Sequence, residues 1–325
     1  MAQRVLFLKN KSMPIVPATQ TYIQQAANLI QSGEIVAFPT ETVYGLGADA
    51  YNATAVAKIF EAKNRPTFNP LISHIADVNF LNDYVKMDDR VLALAKQFWP
   101  GPLTMVLPRK QHNSALDLAC AGLPTVSVRM PNHPVALALI KAANTPIVAP
   151  SANRSQSISP TTAKHVQTSL GNRVPMILDG GACCVGVEST IIDLTTPKVV
   201  LLRAGGIAME DIAEFLNEEV IISGGNPNLP SSPGQMLKHY APKYETRINV
   251  TRPNEDEFMI GFGKIKGHLN LSPTGDLAEA TVNLFAYMHM AEEQKKYTKI
   301  AIAPIPMTGL GRAINDRIKR ASYKD

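Results

Sequence analysis

Two cations one residue apart, Lys63 and Arg65, stand where an apolar-periodic segment gives way to proline, in the stretch KNRP at 63–66. Similar polar groups recur further along the chain. Arg129 sits in the alternating run TVSVRM (125–130), and Ser151 and Asn153 follow IVAP. Glu188, Ser189 and Thr190 are adjacent, and Arg203 precedes Gly205 and Gly206. Thr40 and Thr42 flank Glu41, and His74 lies within the strand-like segment Leu71–Ile75. Singly, each has a plain structural reading. Lys63 would be a cation at a helix C-terminus. Ser151 and Asn153 would cap a loop. Arg129 and Arg203 would be solvated charges, and His74 a core histidine. Taken together, they describe a pocket for a ligand with several negative charges, because Arg suits a two-pronged grip on carboxylate or phosphate.

These side chains must be held at the ends of buried elements, and the pattern supplies such elements. The run Ile35–Phe38 reads as a buried strand ended by Pro39, followed by a polar turn and the glycines Gly45 and Gly47. A helix from about Thr54 to Lys63 shows Val56, Ile59 and Phe60 on one face. An earlier helix spans roughly 19–32, with Gly33 as its stop. Others open at Asp88–Asp89, at Asn132 and at the pair Ser159-Pro160, and another spans 209–217. Strands are expected at 103–107, 125–130, 147–149, 176–178, 190–194 and 198–202. Residues 223–245 are rich in Pro, Gly and Ser, a linker composition. Beyond them the order is strand (Phe258–Phe262), helix (Asp276–Ala291), strand (Lys299–Pro304) and helix (308–320), which suggests a small parallel sheet. The expected organisation is a first domain over 1–217, a linker over 218–245 and a second domain over 246–325.

Composition narrows the chemistry. The chain has 325 residues, 45% hydrophobic and 18% charged, as in ordinary globular proteins, and its length favours two domains. The net charge of +5 suits an anionic ligand, while a single Trp offers little for stacking nucleic acid bases. Tail cations Arg312, Arg317, Lys319, Arg320 and Lys324 read as a solvated helix face. Three cysteines, Cys120, Cys183 and Cys184, form no CxxC pair and imply neither a disulfide framework nor a zinc site. No apolar stretch is long enough to span a membrane, and the N-terminus lacks the apolar run of a signal peptide, so a cytoplasmic location is expected. Gly45-Leu46-Gly47-Ala48-Asp49-Ala50 formally matches a dinucleotide fingerprint, but six residues separate strand and glycines where the fingerprint needs a tight turn. No phosphate-loop, nucleophile-elbow or zinc-protease motif occurs.

Eight stretches resemble the threonylcarbamoyl-AMP synthase family in its long form with a YrdC-like catalytic domain: PTETVYGLG (39–47), KNRP with NPL (63–71), WPGPLT (99–104), SVRMP (127–131), APSAN (149–153), GVEST (186–190), LLRAGG (201–206) and SPGQMLKHYAP (232–242). They span about 200 residues in order. Gln156 stands where the family has glycine, and Ala204 where proline is common. The resemblance implies an α/β fold: a YrdC-like twisted, open, mixed sheet with flanking helices, plus a small Rossmann-like domain. It implies a nucleotidyltransferase that makes L-threonylcarbamoyl-AMP from L-threonine, bicarbonate and ATP, releases pyrophosphate, and serves modification of an adenosine beside the tRNA anticodon. On that resemblance Lys63, Arg65, Asn69, Thr125, Ser151, Ser159 and Arg203 hold ATP, with Asn153 supporting the phosphate loop. Lys63, Arg65, Ser151 and Asn153 form the catalytic set. Thr42, His74, Arg129 and Ser189 hold threonine. Tyr240 touches the nucleotide, and the linker around Lys238, His239 and Tyr240 closes over the pocket, with Gly224, Gly225 and Gly234 as hinges. Mg²⁺ would ride on the triphosphate, held by phosphate oxygens and water, with no protein metal site. A tRNA threonylcarbamoyl transferase would receive the product, with weak or indirect tRNA contact. Two other readings are an RNA-binding surface and carbamoyl transfer to another acceptor.

Overall fold

The computed structural model describes residues 15–83, 85–110, 114–223, 232 and 239–323. Eleven strands form one mixed sheet. In chain order they are β1 (Ile15–Pro17), β2 (Val36–Phe38), β3 (Gly45–Asp49), β4 (Ile72–His74), β5 (Leu103–Pro108), β6 (Thr125–Arg129), β7 (Ile147–Val148), β8 (Ile177–Asp179), β9 (Thr190–Asp193), β10 (Val200–Arg203) and β11 (Ile221–Ile222). Their spatial order is β1-β8-β2-β3-β7-β4-β6-β5-β9-β10-β11. Seven helices accompany them: α1 (Gln20–Gln31), α2 (Ala53–Lys63), α3 (Asp89–Phe98), α4 (Ser114–Asp117), α5 (Pro134–Ala143), α6 (Ala163–Leu170) and α7 (Met209–Leu216). Both faces of the sheet are covered. Alternate residues of β2 show why: Val36 and Phe38 pack with α1 and α5 residues such as Ile30 and Leu139, while Ala37 joins Val56 and Ile59 of α2 on the other side.

A second sheet, all parallel, has the order β12 (Glu245–Arg247), β15 (Lys299–Ile302), β13 (Glu257–Gly261), β14 (Leu269–Asn270). It carries α8 (Leu277–Glu293) and α9 (Gly311–Ala321). Its core is not its own alone. Val43, Ile158 and Val187 of the larger unit share a buried cluster with Tyr240, Phe258, Phe285 and Ile314. Gly186 marks the closest approach. Its φ is +79°, and a Cβ there would lie 2.4 Å from the Thr281 carbonyl oxygen and 2.5 Å from Val282 Cα on α8.

Several local expectations are corrected. Gly45 and Gly47, which follow the polar turn, lie within an unexpected strand, β3, antiparallel to β2. A side chain at Gly47 would meet Ile147 and Phe38 at 2.7 Å, so the glycine serves sheet packing and the dinucleotide match is fortuitous. The cap of α5 is His133, whose Nδ1 accepts from Val135 N, rather than Asn132, with Pro134 at the first helical position. Thr162 caps α6 in place of Ser159, whose hydroxyl is used elsewhere. The strands β12 and β14 are too short to leave a periodic signal. Gly224, Gly225, Gly234 and Lys238 lie outside the described residues.

Candidate functional site

Strand pairing builds one wall of the site. In the parallel pair β4–β6, His74 stands opposite Arg129, so imidazole and guanidinium come to the same strand ends. Arg129 is 3% exposed and held by three contacts. Nε donates to the Gly101 carbonyl at 3.2 Å, Nη1 donates to Thr42 Oγ1 at 3.0 Å, and Nη2 lies 2.6 Å from Glu41 Oε1. That last contact is an ion pair without aligned hydrogen-bond geometry, since neither atom counts as hydrogen-bonded. Because Thr40 donates to the Val43 carbonyl at 2.7 Å, Thr42 donates to Thr40 at 2.8 Å, and a directed chain runs from Arg129 through both hydroxyls. The role of the WPGP turn is thus to aim a carbonyl at Arg129. His74 is neutral: burial, then the Arg129 charge, lowers its pKa to about 3, and its Nδ1 is 3.1 Å from the Ile72 carbonyl.

A second group of cations stands nearby. Arg203 donates through Nε to the Ser189 carbonyl and through Nη2 to Ser189 Oγ, both at 3.1 Å, and Ser189 also pairs with Thr104 at 2.7 Å. Arg65 donates to the Pro70 carbonyl at 3.1 Å. Burial, and after it the charge of Arg203, brings the Arg65 pKa down to about 10. Lys63 is fully buried, and burial followed by the charge of Arg65 holds its pKa well below the usual lysine value. Its ammonium donates to the Ser151 carbonyl at 2.5 Å and to the Asn153 carbonyl. Asn64, left-handed at φ 52°, ends α2 so that the side chain before it turns inward. Cations crowded this way are destabilised by burial and by one another, which an arriving polyanion would relieve.

The remaining wall comes from the GVEST loop and the end of the linker, backed by the second domain. Glu188 accepts from Ser159 Oγ at 2.6 Å and from Arg317 Nε at 3.0 Å. Burial alone would raise its pKa, but Arg317, then Arg203 and the Ser159 hydrogen bond, hold it down at about 2. Arg317 corrects the expected solvated tail helix: it is 0% exposed, with its guanidinium carbon 5.3 Å from the Tyr240 ring centre. Tyr240 is itself fully buried and stacks on Phe285 at 5.4 Å. Burial raises its phenol to about 12, and burial lowers neighbouring His239 to about 3.

These elements enclose one pocket. Of the expected threonine set, all four residues line it: Thr42, His74, Arg129 and Ser189. Of the expected nucleotide set, Arg65, Ser151, Arg203 and Tyr240 line it. Lys63 and Asn153 lie behind the lining, where Asn153 donates to the carbonyls of Arg154 and Ser157 at 3.0 and 2.8 Å. Asn69 and Ser159 are buried beside it, and Thr125, at the far end of β6, does not line it. Gln156, φ 71°, occupies a left-handed backbone position, which is why glycine is expected there, and its carbonyl accepts from Ala241 N at 2.7 Å beside Tyr240. Sequence reasoning set Glu41 and Glu188 among the polar groups of the pocket without giving them a role, and missed Arg317 as a site residue. The two glutamates lie inside quoted motifs, but nothing local marks Arg317.

Fold and site together define an α/β protein whose pocket is lined with preset cations and hydroxyls. Comparison with known proteins then identifies it further. Residues 28–205 match a family model described as telomere recombination, and residues 207–322 match threonylcarbamoyl-AMP synthase, C-terminal domain. The threonylcarbamoyl-AMP synthase of Bacillus subtilis is 40% identical, over 92% of each chain. That of Pyrococcus abyssi is 41% identical, over 92% of this chain and 94% of its own. A crystal structure of the P. abyssi protein, Sua5, complexed with L-threonine, superposes with a TM-score of 0.86 at 38% identity, covering 94% and 95% of the two chains. The chain belongs to the threonylcarbamoyl-AMP synthase family and is an enzyme of the nucleotidyltransferase type. No helix among the described residues is long and apolar enough to cross a membrane.

Proposed function

We propose that the chain condenses L-threonine, bicarbonate and ATP into L-threonylcarbamoyl-AMP and pyrophosphate, for threonylcarbamoyladenosine formation in tRNA. Threonine's amine adds to bicarbonate with loss of water to give the N-carboxylate. A carbamate oxygen then attacks the α-phosphorus, and pyrophosphate leaves. Such a transfer asks for positioning and charge stabilisation more than for a covalent catalyst. The observation that carries this reading is the convergence of Thr42, His74, Arg129 and Ser189 with Arg65 and Arg203 in one pocket.

Arg129 holds the threonine carboxylate. Nη1 keeps one N–H beyond its bond to Thr42, and Nη2 is ion-paired with Glu41 but makes no hydrogen bond, so both terminal nitrogens retain donors for a bidentate grip. Thr42, His74 and Ser189 orient the rest of the amino acid. Arg65, Arg203 and Ser151 hold the phosphates, with Lys63 and Asn153 fixing the 151–157 loop from behind. Mg²⁺ would enter with ATP, and phosphate oxygens and water would hold it, where it would neutralise charge on the triphosphate. Among the described residues no three His, Cys, Asp or Glu groups converge as metal ligands, and Glu188, the one carboxylate among them that lines the pocket, is already engaged.

The free space in the pocket is about 50 Å³, room for a few waters rather than a nucleotide. The wall made by His239 and Tyr240 therefore moves to admit ATP and closes again, which keeps water from a labile carbamate and a hydrolysable adenylate. A cytoplasmic location and hand-over to a tRNA-modifying transferase follow from this reading. The test is pyrophosphate release from Mg-ATP with threonine and bicarbonate omitted in turn. Release needing both supports the proposal, and Arg129→Ala should then abolish the threonine dependence. Release indifferent to threonine would refute it.

A further inference from the structure

Among the described residues, none that lines the pocket comes from the second domain. That domain still reaches the pocket wall, through Phe285, which stacks on Tyr240, and through Arg317, which carries the only charge of the two. Arg317, on the inner face of α9, is fully buried. Nε donates to Glu188 Oε2 at 3.0 Å, Nη1 donates to the Ala204 carbonyl at 2.6 Å, and the guanidinium faces the Tyr240 ring. Asp316, its chain neighbour, is 3.0 Å from Nη1, and Arg320 in turn holds Asp316 at 2.9 Å. Each principal contact is one step from the ligand: Glu188 and Tyr240 line the pocket, and Ala204 adjoins Arg203, which lines it. The second Glu188 oxygen takes the Ser159 hydroxyl at 2.6 Å.

A buried ion pair is a poor source of stability compared with apolar packing of the same volume. What this one supplies is geometry. A planar guanidinium with two fixed bonds sets the Glu188 carboxylate on Ser159, and its cationic face sets the Tyr240 ring. We propose that Arg317 is a positioning residue for the ATP site, so that docking of the second domain completes that site. The proposal rests on the ATP reading above and deepens it by giving the second domain a part in it.

The test uses the full chain and calorimetric binding of Mg-ATP, which needs no turnover. Arg317→Met should weaken ATP binding tenfold or more. Arg317→Lys, which keeps the charge but not the two-bond fork, should fall between it and the wild type. Arg312→Ala is the control. It removes a second ion pair between the domains, to Glu210 at 3.1 Å, and should leave affinity within twofold of wild type. In the pyrophosphate assay Arg317→Met should raise KM for ATP more than it lowers kcat. It should also move the acid limb of the pH profile upward, because Glu188 loses its ion-pair partner. Wild-type affinity in Arg317→Met overturns the proposal, as does an equal loss in Arg312→Ala, which would mean domain docking alone matters. If Arg317→Met does not fold, wild-type affinity in Arg317→Lys overturns it instead. Failure of the wild type itself to bind ATP would refute the ATP site. Binding without threonine-dependent release would refute the proposed reaction while leaving the Arg317 test valid.

Discussion

Removing one partner of the Glu41–Arg129 pair separates what the pair contributes to folding from the threonine-binding role proposed for Arg129. Both side chains are almost wholly buried, at 3% and 4% exposure, so solvent screening is slight. Arg129→Met leaves the Glu41 carboxylate in the interior with no cation, and losing one partner of such a pair costs roughly 3–5 kcal/mol. An attraction of about 4 kcal/mol between charge centres some 4 Å apart gives the same order. At about 2–4 °C per kcal/mol for a domain of this size, the melting temperature should fall by roughly 6–20 °C. Glu41→Gln should cost less, about 2–3 kcal/mol, because Arg129 keeps its bonds to the Gly101 carbonyl and Thr42. The double variant removes both charges and should return to within about 2 kcal/mol of the wild type. Threonine-dependent pyrophosphate release should nevertheless stay lost wherever Arg129 is absent. The assay is thermal unfolding of the four proteins beside their pyrophosphate release. Strictly additive melting shifts would mean the pair is not coupled, and the reading of Glu41 as the group that holds Arg129 in place would be wrong.

Three further outcomes are expected. His165 and His289 stack across the domain junction with centroids 3.9 Å apart. His165 Nδ1 accepts from Thr161 N at 3.3 Å, and His289 Nε2 donates to the Ser159 carbonyl at 3.1 Å. Burial, then the facing imidazole, lowers His165 to about 3. Burial also lowers His289, to about 4, with the Ser159 bond opposing the shift and the Lys243 charge adding to it. The unfolded chain thus binds more protons below pH 6.5, so stability falls as pH drops from about 6.5 towards 4, by at most about 1.4 kcal/mol per unit for each imidazole. Chemical denaturation at pH 7 and pH 5 measures this, and a slope unchanged in His289→Gln would count against it. Gly186→Ala should cost about 2–5 kcal/mol, from the strained positive φ and the overlap with α8, and should weaken ATP binding along with domain docking. An Ala variant with wild-type melting would exclude that close approach. Gln156→Gly should relieve the left-handed backbone at φ 71° and raise stability by up to about 1 kcal/mol; a fall in melting temperature would argue against strain at that position.

How much of the site is legible in the sequence follows from where each determinant lies along the chain. Arg129, Ser151, Ser189 and Arg203 are recognisable because each sits at or just beyond a strand, in a motif whose neighbours share its task. Their convergence is an inference from number and placement, which the sheet order makes concrete by setting β4, β6 and β7 side by side. Thr125 shows the limit of alternation. It shares a face with Arg129, but four residues of strand carry it along β6 away from the pocket. Glu41 and Glu188 are visible as letters, yet their roles depend on Arg129 at 2.6 Å and Arg317 at 3.0 Å, partners far along the chain. For Glu188 the separation is 129 positions, well beyond the reach of any local pattern. Arg317 is least legible of all. Among Lys319, Arg320 and Arg312 on a short amphipathic helix, its charge reads as solvent-facing. Only the packing of α9 against Tyr240 and the GVEST loop distinguishes it from them, since burial belongs to the tertiary arrangement and not to the helix. The same reasoning explains Gly186, whose need for a missing side chain is set by the backbone of α8, far later in the chain. Residues whose work is local are readable, whereas those that join the two domains are not, and it is at that junction that the remaining chemistry of this enzyme is to be tested.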